Sequence, residues 1–150
     1  MKAILMRGIS GSGKSTYVKS IMTSKTVVCS TDSYFYNNPG RRPGYDASKL
    51  GEAHGECLKK YIEAIRKGEC DYLIVDNTNI TPLEIASYVQ IASAYGIVPE
   101  IVMMKCEPDI AANRGIHKVP LELTKANYER LMVSRLPPYW KVTHKEVVGV

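Results

Sequence analysis

Eight residues near the start, "GISGSGKS" from Gly8 to Ser15, fit the pattern G-x-x-x-x-G-K-[ST] in full. The chemistry of that pattern is phosphate binding. Gly8, Gly11 and Gly13 let the chain wrap closely, so backbone N–H groups, including those near Ser10 and Ser12, point inward at phosphate oxygens. A helix that starts here adds partial positive charge. Lys14 reaches the β- and γ-phosphates, Ser15 offers a hydroxyl to Mg²⁺, and Thr16 is placed to touch the α-phosphate. No guanine-reading N-K-x-D follows, so ATP is preferred to GTP.

A second acidic group stands at the end of "YLIVDNTN". Asp76 there can hold Mg²⁺ through water or orient Ser15. The metal role is preferred to a cap on the next turn; Asn77 and Asn79 can cap that turn and are also candidates for substrate contact. The third candidate is Asp32 in "TVVCSTDSYFYNNPGRRPGYD", a carboxylate just beyond a β-branched run. It is placed either to take a proton from an attacked hydroxyl or to form a turn. Behind it come Tyr34, Phe35, Tyr36, Arg41, Arg42 and Tyr45. Aromatics can stack on a base and arginines can grip phosphates. Tyr34 and Phe35 can instead plug a core.

The elements that must position these groups alternate. Short apolar runs at 2–7, 26–30, 71–76 and 98–106 read as strands. Helical spacing appears at 14–24, 47–68, 81–96, 108–115 and 120–136, and 141–150 reads as a final strand. Thr81 and Pro82 mark a helix start, and Gly68 a helix end. Alternation with short connections predicts an α/β fold: a parallel sheet of about five strands, helices on both faces, and a ligand site at the strands' carboxyl ends.

Composition sets the outer limits. With 150 residues, 45% of them hydrophobic, one domain over 1–150 is expected. No apolar run approaches a membrane span and the N-terminus lacks a leader pattern, so cytoplasmic residence is expected. Cys29, Cys57, Cys70 and Cys106 form no C-x-x-C pair, and His54, His117 and His144 are scattered, so buried thiols are expected rather than a zinc site. The net charge of +5 divides into +6 over residues 1–45, −4 over 46–104 and +3 over 105–150. Two basic ends on one face suit a polyanion; a solvated basic surface is the other reading.

Several motifs occur together and in order: "RGISGSGKST", "CSTDSYF", "YDASKLGEAH", "IVDNTN" and "RGIHKVPLE". They resemble the polynucleotide-kinase-like branch of P-loop kinases over residues 3 to 133. That branch includes phage-type polynucleotide kinase domains and phage kinases of hydroxymethylated pyrimidines in DNA. The resemblance implies a P-loop NTPase fold with a small helical lid. It makes Asp32 the general base, Arg114 the lid arginine on the transferring phosphoryl group, and Asp76 the acid near Mg²⁺. His117 matches a family position, for substrate contact or lid packing.

Phage end-healing kinases carry a second acid and an arginine where Ser33 and Phe35 stand here. That difference favours a base hydroxymethyl group of the 5-hydroxymethyluracil type in DNA over a 5′-hydroxyl end. Such a protein would work in the cytoplasm, the host's if phage-encoded. A nucleoside or metabolite kinase, and a non-catalytic ATP-binding module, are the remaining alternatives.

Overall fold

The computed structural model describes residues 1–36, 44–115 and 119–149. Among these residues five strands form one sheet in the order β2-β3-β1-β4-β5, and their pairings are all parallel. They are β1 (Lys2–Arg7), β2 (Val27–Cys29), β3 (Tyr72–Val75), β4 (Glu100–Lys105) and β5 (Thr143–Val148).

Side-chain alternation divides the core between two faces. Leu5, Cys29, Leu73, Val75 and Ile101 point to one face, where α3 (Leu50–Lys67) and α4 (Pro82–Ala94) cover them. Ile4, Met6, Ile74, Val102 and Met104 point to the other, against Val18 of α1 (Lys14–Ile21). The central strands are therefore apolar on both faces, as a covered parallel sheet requires. The expected fold class holds.

Local signals fixed several boundaries. Gly68 closes α3 with φ 64°, a left-handed cap that glycine adopts without steric cost. At α4 the Glu84 carboxylate accepts the Thr81 backbone N–H at 3.0 Å. Cys29, Cys57, Cys70 and Cys106 are all buried free thiols. Among the described residues no helix is long and apolar enough to cross a membrane.

Two short elements were not anticipated. Asp32–Phe35 form a helix, α2, rather than the start of a loop. Ser30 begins it: its Oγ accepts the Asp32 N–H at 3.1 Å, and its carbonyl accepts the Ser33 N–H at 3.2 Å. Ala47–Lys49 make a 3₁₀ turn ahead of α3, capped by Asp46, whose carboxylate accepts the Ser48 N–H. Downstream, α5 (Pro108–Arg114) and α6 (Leu121–Val133) pack through Ala111 and Leu131 onto Ile9, Ile80 and Cys106. This pair forms the small helical layer above the phosphate loop.

Burial is steep at the centre and shallow at the β5 edge. Ile74 has no exposed surface, whereas Val148 is 72% exposed. Ile74→Ala should cost about 2–5 kcal/mol, and Val148→Ala less than about 0.5 kcal/mol. Urea unfolding of both variants checks this. Equal costs would contradict the described packing.

Candidate functional site

The carboxyl ends of β1, β2 and β3, the end of α5 at Arg114 and the face of α6 that bears Asn127 and Arg130 surround a cleft of about 670 Å³. The phosphate loop forms its floor. Gly11 and Gly13 hold φ values of 81° and 101°, which disfavour any side chain. A Cβ on Gly11 would lie 2.1 Å from the Ala111 carbonyl oxygen, so this glycine also permits close approach of α5.

Lys14 is buried, and its ammonium donates to the carbonyls of Gly8 at 2.9 Å and Ile9 at 3.0 Å. Burial lowers its pKa to about 8, against the opposing pull of Asp76 and Asp32. Ser15 Oγ donates to Asp76 Oδ2 at 3.0 Å, which brings together the two residues expected to hold Mg²⁺. Burial raises the Asp76 pKa, while Lys14 and Ser15 act in the other direction. Ser12 Oγ is buried with no hydrogen-bond partner among the described residues. An orphaned hydroxyl inside a glycine cradle, beside a buried ammonium, fits a polyphosphate. The oxygens of Ser15 and Asp76 fit a hard divalent cation, which phosphate and water would complete. Ser10 and Thr16 line the same cleft.

Asp32 is exposed at the first position of α2 and also lines the cleft. It stands beyond β2 as Asp76 stands beyond β3, so adjacent strands deliver both carboxylates to one edge. Asn77 fixes their relation. Its side-chain oxygen accepts from the Thr31 backbone N–H at 2.9 Å and from Thr31 Oγ1 at 3.2 Å. Its amide nitrogen donates to Cys57 Sγ at 3.5 Å. Asn79 takes φ 47°, a conformation asparagine tolerates, and donates to the Met6 carbonyl at 2.9 Å. Both asparagines border the cleft. Both are expected substrate contacts, and in the fold their amide nitrogens hold Cys57 Sγ and the Met6 carbonyl.

The aromatic expectation divides in a similar way. Tyr34 and Phe35 are 6% and 5% exposed and pack with Ala53 and Leu50. The helical turn of α2 points both inward, so of the two readings offered for them, stacking on a base or plugging the core, their burial favours the core. Tyr45 remains accessible, 59% exposed, with its ring centroid 5.1 Å from that of Phe35. It lines the cleft near Leu50 and His54. Arg41, Arg42 and His117 lie outside the described residues.

Arg114 is at the end of α5. Its Nε donates to the Gly11 carbonyl at 2.7 Å and its Nη2 to Cys106 Sγ at 3.3 Å. The guanidinium therefore sits on the phosphate loop itself. The cleft residues that sequence reasoning missed include Thr31, Glu84, His54, Asn127 and Arg130. The last three lie on the polar faces of long helices, where no motif separates them from solvated residues. Also missed was Arg7, 3% exposed at the end of β1. It donates to the Asn79 carbonyl at 2.7 Å, the Ile80 carbonyl at 2.7 Å and Ser134 Oγ at 2.9 Å. It thereby ties the loop after β3 and the end of α6 to the strand that leads into the cradle.

Comparison with known proteins agrees with this architecture. The chain matches the AAA domain family (AAA_33) over residues 4–132. It is 34% identical over 126 residues to human (Homo sapiens) NEDD4-binding protein 2, but spans only 7% of that protein's length. Among solved structures, it superposes on a chain of the Pnkp1/Rnl/Hen1 RNA repair complex with a TM-score of 0.69 at 15% identity, covering 87% of this chain and 44% of that one. It superposes on a gluconokinase from Sinorhizobium meliloti 1021 with a TM-score of 0.57 at 17% identity, covering 97% and 82%.

The burial of Lys14 has a measurable consequence. In the unfolded chain it titrates near 10.5, and in the fold near 8. Between those values the unfolded chain holds more protons, so the Lys14 contribution to stability rises with pH there. Against Lys14→Met, which cannot titrate, the wild type should gain about 2 kcal/mol between pH 7 and pH 10. Urea unfolding of both proteins at each pH measures the difference. A pH-independent difference would contradict the burial of a charged lysine. With the cradle, the paired Ser15 and Asp76, and the matching sequence all in view, the chain belongs to the AAA_33 family of AAA domains and has a kinase-like P-loop fold.

Proposed function

We propose that the protein is an ATP-dependent kinase for a hydroxyl carried by nucleic acid, with the hydroxymethyl group of a modified pyrimidine in DNA as the preferred acceptor. One observation carries the reading. Asp32 stands in the same cleft as Lys14, Ser15 and Asp76, delivered by the strand next to the one that delivers Asp76. A pure nucleotide switch has no need of a further carboxylate there.

In this reading ATP supplies the γ-phosphoryl group; Ser15 and Asp76 would hold Mg²⁺, which would offset the charge on the phosphates. Lys14 and the loop N–H groups bind and orient the phosphates. Asp32 takes the acceptor's hydroxyl proton as its oxygen bonds to phosphorus and the bond to the ADP oxygen breaks. Arg114, seated on the loop, stabilises the transferring group. Tyr45 stacks on an unpaired or extruded base.

Two features support a nucleic-acid acceptor. The chain is basic, with a sequence pI of about 9.0. Its fold is also similar to a chain of an RNA repair complex. The same similarity supports a second reading, a polynucleotide 5′-hydroxyl as acceptor. The gluconokinase similarity supports a third, a small metabolite.

The test offers γ-labelled ATP with 5′-hydroxyl oligonucleotide, hydroxymethylpyrimidine DNA and the free nucleosides. Label should enter DNA. Label in free nucleosides alone would overturn the nucleic-acid reading, and label in none would overturn the kinase. Asp32→Ala should lower transfer by about 10²–10⁴-fold with ATP affinity nearly unchanged. Undiminished transfer would remove Asp32 as the base.

A further inference from the structure

Arg130 is exposed on α6, three residues after Asn127, so both project from one helix face, and both line the cleft. No ion-pair partner lies within 4.0 Å of Arg130 among the described residues. Its helix end is held in place from within. The Ser134 N–H donates to the Arg130 carbonyl at 3.1 Å, and Ser134 Oγ accepts from buried Arg7 at 2.9 Å. Arg7 also holds the Asn79 and Ile80 carbonyls, so Arg130 is tied to the loop that follows β3.

Arg114 follows β4, beyond the cradle-bearing β1, whereas β3 lies between β1 and the Asp32-bearing β2. Through Ser134 and Arg7, Arg130 is instead fixed beside the loop after β3, whose Asn77 also holds Thr31 next to Asp32. Lys14, the loop amides and Arg114 already serve the donor phosphates. A permanently charged fork beside the loop after β3 suits a different anion.

We propose that Arg130, with Asn127 beside it, binds a phosphate of the acceptor, and so selects phosphate-bearing strands or nucleotides over neutral nucleosides and sugars. This deepens the nucleic-acid reading above and rests on it for the acceptor's class. The residue contacts substrate rather than shaping the fold, because its side chain is exposed and its backbone helical.

Fluorescence anisotropy with a labelled short single strand, without turnover, tests it. Arg130→Ala should weaken strand binding about tenfold or more, Arg130→Lys less, and the distant Arg66→Ala not at all. ATP affinity should stay unchanged in all three. A nucleoside 3′-monophosphate should compete better than its nucleoside against the wild type, and this preference should vanish in Arg130→Ala. Wild-type binding by Arg130→Ala, an equal loss of ATP affinity, or no strand binding by the wild type would each overturn the proposal. Strand binding through Arg130 without phosphoryl transfer would uphold it and contradict the kinase reading alone.

Discussion

The ammonium of Lys14 cannot be buried without compensation, and the site is organised around that constraint. Its desolvation is offset by two loop carbonyls and by two carboxylates that face it across the cleft. The carbonyls come from Gly8 and Ile9, so the lysine closes the loop on itself. The carboxylates come from strands on one side of β1. The parallel sheet is therefore the condition for the charge balance: only parallel neighbours end together at one edge.

Around this centre the same economy recurs. Three polar side chains, Arg7, Asn77 and Arg114, each join two or more backbone segments. Arg7 joins the loop after β3 to the end of α6, and Asn77 joins β3 to the start of α2 and, through Cys57, to α3. Arg114 joins α5 to the phosphate loop. Each is costly to desolvate and each is satisfied, which fixes the relative placement of the cleft walls. The left-handed Asn79 and the orphaned Ser12 hydroxyl are local departures from good backbone and polar satisfaction. Both occur in or beside the cleft, where strain and unmet polarity are expected of a binding site.

Much of this was legible in the sequence. The cradle, the strand-end Asp76 and the alternating pattern are encoded over short windows, because glycine conformations, caps and buried runs are local. The short helix at Asp32 was not legible. Ser-Thr-Asp-Ser suits a turn as well as a cap, and only the apolar patch of Ala53 and Leu50 decides that Tyr34 and Phe35 turn inward. Arg7 looked like an ordinary charge at a strand end, since its partners lie more than seventy residues away. His54, Asn127 and Arg130 sit on amphipathic helices whose polar stripes face cleft and solvent alike. Tertiary placement, not residue type, separates them from their neighbours.

The account's central claim is that this cleft couples nucleotide cleavage to an acceptor hydroxyl rather than to water. Product stoichiometry tests it most directly, with ADP, free phosphate and phosphorylated hydroxymethylpyrimidine DNA measured in one reaction. The account predicts about one ADP per phosphorylated acceptor, little free phosphate, and ADP formation that depends on the acceptor. ADP and free phosphate in equal amounts, with or without DNA, would contradict it.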